Sequence, residues 1–244
     1  MKLVAICPCF YPDTQPIWRL VESAAFFGID LRPFGVGKPW KGTVGGDTDA
    51  HFTEAPQIIR NIDADLILFV DGCDTLFCQD TEAIIAAYQT INDGDIVLSA
   101  EKDIYPPRLY EEYQQYRHGD PSRYDDSCGL AQYPNGGGWI GPPDQLLSIL
   151  EHMRENYRES MEAQYRWIKC YLHGGFNMKL DSDFRLFNTI SGGGGKWLAA
   201  TPRGVVNTET ETYPSILHWN GRMGGIDEWR ENLKKIWPQY PSRT

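Results

Sequence analysis

Two carboxylates stand three residues apart in Phe69-Val70-Asp71-Gly72-Cys73-Asp74, directly after the apolar run Leu66-Ile67-Leu68-Phe69-Val70. On a continuing strand they would point to opposite faces, because side chains alternate with period two. Gly72 lets the chain turn, so Asp71 and Asp74 can converge at the carboxyl end of a central strand, the edge where open α/β sheets bind ligands. Two hard oxygen donors there suit Mg²⁺ or Mn²⁺, which take carboxylates together with substrate phosphates and water. The competing assignment is a plain turn, with Asp71 capping the next segment and Asp74 in solvent. Far along the chain, Ile216-Leu217-His218-Trp219-Asn220-Gly221-Arg222 offers a histidine leaving a short apolar strand, then backbone amides and a guanidinium. That set can supply a third metal ligand and a cation for a diphosphate.

Other chemical candidates are thinner. Asp181 and Asp183 suit a strand turn better than a second acidic site, and Asp125-Asp126 lies in a polar loop. His51, His118, His152 and His173 lack metal-binding spacing, and Gly192 to Gly195 lacks the Lys-Ser/Thr that completes a phosphate loop. Trp139, Trp167, Trp197, Trp219 and Trp229 are enough for an aromatic groove, although tryptophan more often packs in a core or its rim.

The elements that must position these residues alternate through the first hundred positions. Strands are expected at Leu3 to Ile6, Ile29 to Phe34, Leu66 to Val70 and Asp95 to Ser99; helices at Ile17 to Phe27, around Ala55 to Asn61, and at Thr81 to Gln89. A loop rich in Gly, Lys and Trp covers Gly35 to Gly46. This βαβαβαβ order predicts a parallel, doubly wound sheet with right-handed crossovers. After about residue 104 the rhythm breaks into a tyrosine-rich surface excursion to Asp126, a glycine-rich strand from Asn135 to Gly141, and helices at Pro143 to Tyr157 and Glu162 to Leu172. A flexible turn at Gly192 to Gly195 separates short strands at Phe184 to Asn188 and Lys196 to Leu198, and Ile216 to His218 is the last strand. One domain with an irregular second half is the simplest division.

The 244 residues carry 23 Lys+Arg against 33 Asp+Glu, a net charge of −10, with 41% hydrophobic residues. That composition supports a full core and, without a basic cluster, argues against nucleic acid or anionic membrane as the main partner. No run reaches the roughly 18 apolar residues of a bilayer span, and the first apolar run is too short for a secretory signal. The six cysteines lack paired CxxC spacing, which favours thiols in a reducing cytoplasm.

Taken in order, these segments resemble the glycosyltransferase domain of procollagen lysyl hydroxylases and related collagen glycosyltransferases. Asp71-Gly72-Cys73-Asp74 is similar to that family's DxxD metal site, and Ser23 to Phe27 with Leu31-Arg32 and Gly35 to Gly42 is similar to its SAEFF…LGxGxxWxGG stretch. Ser99-Ala100-Glu101 with Tyr105-Pro106 resembles SAE…CWP, Tyr133 to Gly141 resembles YLNSGGFIG, Asp181 to Phe187 resembles LDxxxRxFQ, and His218 to Gly221 resembles HGNG. The resemblance implies a GT-A fold: a Rossmann-like, mostly parallel central sheet with helices on both faces, a nucleotide-sugar half over about 1–103 and an irregular acceptor half over about 104–244. It implies Mn²⁺ (or Mg²⁺) on Asp71, Asp74 and His218, and a UDP-sugar donor, UDP-glucose or UDP-galactose. Ala5, Ile6 and Cys7 with main chain at Gly72 and Cys73 would face the nucleoside. Asn220, Gly221 and Arg222 would meet the phosphates, and Asn135, Gly136, Gly137, Glu101 and Tyr105 would lie by the sugar.

The family's Asp-Asp-Gln run corresponds to Glu162-Ala163-Gln164, which makes Glu162, Gln164 and Asn135 the catalytic candidates and loses one carboxylate. Glu162 then either orients the acceptor hydroxyl or is a solvated residue of the first helical turn. The expected activity is hexose transfer to a hydroxyl on a side chain, a glycan or a small molecule. A catalytically weak nucleotide-sugar binder and a transferase acting on a hydroxymethylated DNA base are the alternatives.

Overall fold

The computed structural model describes residues 1–40, 50–92, 95–119, 131–221 and 225–241. Its main sheet has six strands. The apolar segment Leu3–Pro8 (β1) pairs in parallel with Leu31–Phe34 (β2) on one side and with Leu66–Val70 (β3) on the other. The helix Trp18–Phe26 (α1) crosses between β1 and β2, and the short helix Ala55–Ile59 (α2) precedes β3. Every residue of β3 is buried, as its unbroken apolar run requires of a strand covered on both faces.

The chain next makes a short strand, Thr75–Phe77 (β4), the helix Thr81–Ile91 (α3), and the strand Ile96–Glu101 (β5). Asp80 caps α3 by accepting from the Ala83 amide at 2.9 Å. In the parallel arrangement expected from the βα rhythm, β5 would lie beside β3. Instead Tyr133–Gly141 (β6) enters between them and runs antiparallel to both. Met178–Leu180 (β7) pairs in parallel with β5 at the edge, giving the order β2-β1-β3-β6-β5-β7. Glycine-rich β6 can enter this crowded centre because its glycines take no space: a Cβ on Gly138 would meet the Phe187 ring at 2.7 Å.

Alternate residues of each strand feed opposite faces. Val4, Ile6, Ile67, Phe69, Leu98 and Trp139 pack with α2 and the helices Pro143–Asn156 (α5) and Ala163–His173 (α6). Ala5, Cys7, Leu68, Val70, Val97 and Ile140 pack with α1 and α3. The helix Tyr110–Gly119 (α4) occupies part of the segment expected to be an irregular excursion; its Tyr113 is fully buried against Tyr133 and Ile168.

A second, three-stranded sheet was not expected from the sequence. In it Ile216–His218 (β11) lies between β4 and Phe187–Thr189 (β8), antiparallel to the first and parallel to the second. Against it pack the hairpin Leu198–Thr201 (β9) with Gly204–Asn207 (β10) and the helix Ile226–Ile236 (α7). The expected flexible turn at Gly192 to Gly195 lies within a single 3₁₀ segment, Ser191–Trp197. The expected strand beginning at Phe184 starts only at Phe187, because Phe184 sits in a turn at φ +57°. Among the described residues no helix is long and apolar enough to cross a membrane. Cys7, Cys9, Cys73, Cys78 and Cys170 are free thiols.

Candidate active site

Asp71 follows β3, and its amide donates to the Gly137 carbonyl at 2.9 Å, so the main chain of β6 holds the start of the turn. Gly72 is required at the next position. A Cβ there would lie 2.4 Å from the Pro8 carbonyl oxygen and 2.8 Å from Ile17, because the turn presses on the carboxyl end of β1. Asp74 then enters β4, where Thr75 pairs with His218 of β11, and the Trp219 amide donates to the Asp74 carbonyl at 2.8 Å. The two sheets thus bring together residues from the first and last thirds of the chain.

Asp71, Asp74 and His218 each offer a ligand atom, and these atoms lie within 4.8 Å of one another. His218 Nε2 is 3.4 Å from Asp71 Oδ2 and 3.7 Å from Asp74 Oδ1. Its side chain is only 3% exposed, yet neither ring nitrogen makes a well-aligned hydrogen bond. Buried polar atoms are nearly always satisfied, so an imidazole aimed at two carboxylates at longer than hydrogen-bond distance is arranged as for a shared ion. Burial opposes a charged His218, but Asp74 and Asp71 together raise its pKa to about 10. Burial also opposes ionisation of Asp71, and His218, with a smaller contribution from His51, overcomes it and holds that carboxyl below its usual range. The donor set, two carboxylate oxygens and one imidazole, fits Mn²⁺ or Mg²⁺.

The floor of the site is an expanded bulge in β6. Toward β5, Leu98 pairs with Trp139 but Ser99 pairs with Asn135, so Gly136, Gly137 and Gly138 face no ladder partner on that side. The bulge pushes Gly137 against the ligand cluster: a Cβ there would lie 2.3 Å from His218 Cε1 and 2.4 Å from Asp71 Oδ2. Two side chains take up the freed amides. Asn135 Oδ1 accepts from the Gly137 amide at 3.0 Å, and Gln164 Oε1 accepts from the Gly136 amide at 2.6 Å.

Glu101 lies beside the bulge, 6% exposed. Gln164 Nε2 donates to its Oε1 at 3.0 Å and Asn220 Nδ2 donates to its Oε2 at 2.7 Å. Burial raises its pKa to about 8 against the pull of His218, Asn135 and Asn220. Asn220 Oδ1 in turn accepts from the amides of Ile190 and Ser191 at 3.1 and 3.0 Å. Its side chain is thereby committed to the protein, its carbonyl accepts from the Ser191 hydroxyl, and Gly221 follows at φ +75°.

The remaining sequence candidates divide. Cys73 is half-buried in the turn, its thiol 3.7 Å from the Tyr11 hydroxyl. The side chains of Ala5, Ile6 and Cys7 are fully buried between sheet and helices, so β1 offers a ligand only its main chain and its end at Pro8. Glu162 precedes α6 and is ion-paired with Arg108, with Ser160 Oγ donating to it at 3.4 Å. Asp181 takes the expected turn role: its carboxylate accepts from the amides of Arg185, Leu186 and Phe187 at 2.7–2.9 Å. Trp139, Trp167 and Trp219 are core residues. Arg222 and Asp125-Asp126 lie outside the described residues. Nothing in the spacing of Gln164 and Asn135 signals a bulge-filling role; the pairing register of β6 reveals it.

Mouse procollagen-lysine,2-oxoglutarate 5-dioxygenase 2 is 24% identical over 217 residues, 83% of this chain. The Drosophila melanogaster procollagen-lysine,2-oxoglutarate 5-dioxygenase is 27% identical over 223 residues, 85% of the chain. A rat protein, multifunctional procollagen lysine hydroxylase and glycosyltransferase LH3, is 24% identical over 224 residues, 86% of the chain. The chain spans only 28–29% of the length of these relatives. Among solved structures, a glycosyltransferase involved in glycosylation of the major capsid of PBCV-1 superposes with a TM-score of 0.57 at 10% identity, covering 95% of this chain and all of that one. Mouse xyloside xylosyltransferase 1 in its apo form gives 0.51 at 11%, covering 90% and 98%. At such identities these two show the fold alone, which is the GT-A fold. The model of the PLOD GT domain matches residues 11–237, and the chain belongs to that family of glycosyltransferases.

Proposed function

We propose that this domain is a metal-dependent hexosyltransferase that moves glucose or galactose from a UDP-sugar to a hydroxyl acceptor. The observation that carries the reading is the convergence of Asp71, Asp74 and the buried, unsatisfied His218 at the carboxyl end of β3. Mn²⁺ or Mg²⁺ held there would supply the positive charge that a departing diphosphate needs.

The chain's own residues do the rest. Gly72 lets the turn close on β1, and Gly137 keeps a side chain out of the Asp71/His218 cluster, so phosphate and sugar can lie against main chain. Main chain at Asn220 and Gly221 turns toward the phosphates. Glu101, with Asn135, sits on the sugar side, and Glu162 and Arg108 form the rim toward the acceptor. The nucleotide-sugar half is about residues 1–103 and the acceptor half about 104–244, in one catalytic unit. The rat relative's name pairs lysine hydroxylase with glycosyltransferase, which makes a hydroxylated lysine the first acceptor to try.

Release of UDP from UDP-glucose and UDP-galactose, with and without acceptors, tests the proposal. Asp71→Ala and Asp74→Ala should each lower Mn²⁺-dependent turnover at least about 100-fold, the scale of losing a group that stabilises transition-state charge. Full activity in EDTA would sink the metal assignment. A second reading, a weak nucleotide-sugar binder, draws on Ala163 and on the engagement of Glu162 by Arg108; UDP binding without transfer to any acceptor would favour it.

A further inference from the structure

We infer that Gln164 is a positioning residue, acting on the metal site through the β6 bulge and never touching the reacting atoms. The inference rests on the metal reading above but concerns a residue two helical positions beyond Glu162, on the opposite side of the bulge from the ion ligands. Three of the four hydrogen-bonding positions of its side-chain amide are spent on protein. Oε1 accepts from the Gly136 amide at 2.6 Å, while Nε2 donates to the Pro134 carbonyl at 2.6 Å and to Glu101 Oε1 at 3.0 Å. It is 7% exposed. Both amide protons are committed, and the oxygen's one remaining lone pair belongs to a side chain nearly closed off from solvent.

These contacts replace what the bulge removes from the sheet. A three-residue bulge strips the Gly136 amide of its ladder partner, and a buried amide left unpaired is costly. Gln164 supplies that partner from a helix, and the Trp167 ring one turn on closes over the same glycine, 2.6 Å from where a Cβ would stand. Gly136 therefore has no room to relax outward. The next residue, Gly137, is the one whose van der Waals surface meets both His218 and Asp71. A shift of a few tenths of an ångström in the bulge is transmitted to the spacing of the ion's ligands.

Only an amide fits this place, because one face must accept and the other must donate. In Gln164→Glu the second oxygen would oppose the Pro134 carbonyl and Glu101, two acceptors. Protonation of either carboxyl relieves part of that opposition, so the variant should recover as pH falls. Gln164→Leu should not.

The test uses Mn²⁺ alone as the probe, with binding followed by electron paramagnetic resonance on the full chain, after circular dichroism confirms that each variant is folded. Gln164→Leu should weaken Mn²⁺ binding on the order of tenfold relative to wild type at every pH from 6 to 8.5. Gln164→Glu should match that loss at pH 8.5 and approach wild type at pH 6. Mn²⁺ affinities unchanged in both variants, or a Gln164→Glu ratio to wild type that is flat with pH, would overturn the inference. Amide exchange of Gly136 in metal-free protein reads the tether without any ion and should be faster in Gln164→Leu; unchanged exchange overturns it too. A wild-type chain that binds no Mn²⁺ would remove the metal reading, while faster Gly136 exchange in the variant would still uphold the tether.

Discussion

Gly137 shows how little room the Asp71, Asp74 and His218 cluster leaves. A single methyl group at that position would lie inside contact distance of His218 and Asp71 at once, so either the bulge withdraws or the ligands part. Gly137→Ala is expected to leave the fold intact and to cut Mn²⁺-dependent UDP-sugar turnover by about 100-fold, read by steady-state kinetics with varied Mn²⁺. Glu101 carries the pH signature of the same region. Its folded-state pKa, raised to about 8 by burial, exceeds the 4.5 expected in the unfolded chain. The folded protein thus holds a proton that the unfolded chain gives up. The stability from that protonated carboxyl is complete below about pH 4.5 and is lost as pH rises through 8. Denaturant titrations of metal-free protein across that window should therefore show a steeper loss of stability in wild type than in Glu101→Gln. Asp71 and Asp74 were legible in the sequence because their turn follows an apolar run too long and too pure to be anything but a central strand. Gln164 was not, since its task is defined by an amide orphaned on another element.

At the scale of elements, the second sheet is what turns a loose pair of aspartates into a three-residue cluster. Its strand β8 begins where Asp181 gathers three backbone amides, and β8 in turn holds β11, the strand that ends in His218. Asp181→Asn keeps the size of the side chain but replaces one acceptor oxygen with a donor that faces backbone N–H groups. A loss of about 1–3 kcal/mol is expected, seen as a fall of roughly 3–10 °C in melting temperature. The main-sheet strands β1, β2, β3 and β5 were readable from apolar runs separated by helical periodicity. The place of β6 was not, because the same strand can pair parallel or antiparallel, and only the return direction after α4 decides it. The helix α7 did carry a signal, with Ile226, Trp229, Leu233 and Ile236 at three- and four-residue spacing, masked by its many charges.

For the whole molecule, the proposed ion would add a tie between two sheets already joined by packing and by hydrogen bonds such as that from Thr189 Oγ1 to the Ala100 carbonyl at 2.8 Å. A ligand that binds only the folded chain stabilises it by mass action, about 2.7 kcal/mol at a hundred times its dissociation constant. Mn²⁺ with UDP should accordingly raise the melting temperature by several degrees, and Asp74→Ala should abolish the increase; a scanning fluorimetry series over UDP concentration checks both. The net charge of −10 sharpens the point. An acidic protein attracts an anionic nucleotide poorly, and a divalent cation held by Asp71 and Asp74 would cancel their two negative charges where the diphosphate approaches.

The pairing of Thr75 with His218 also sets a timetable for synthesis. The first four strand segments leave the ribosome long before β11 exists, and early-emerging segments can collapse while the rest is still being made. Until β11 docks, β4 is an open edge beside two unpaired aspartates. A chain stalled or cleaved before residue 216 would keep much of the β1–β3 core yet expose that edge to other nascent chains. Completion of β11 is thus both the moment His218 joins Asp71 and Asp74 and the moment the open edge of β4 is covered.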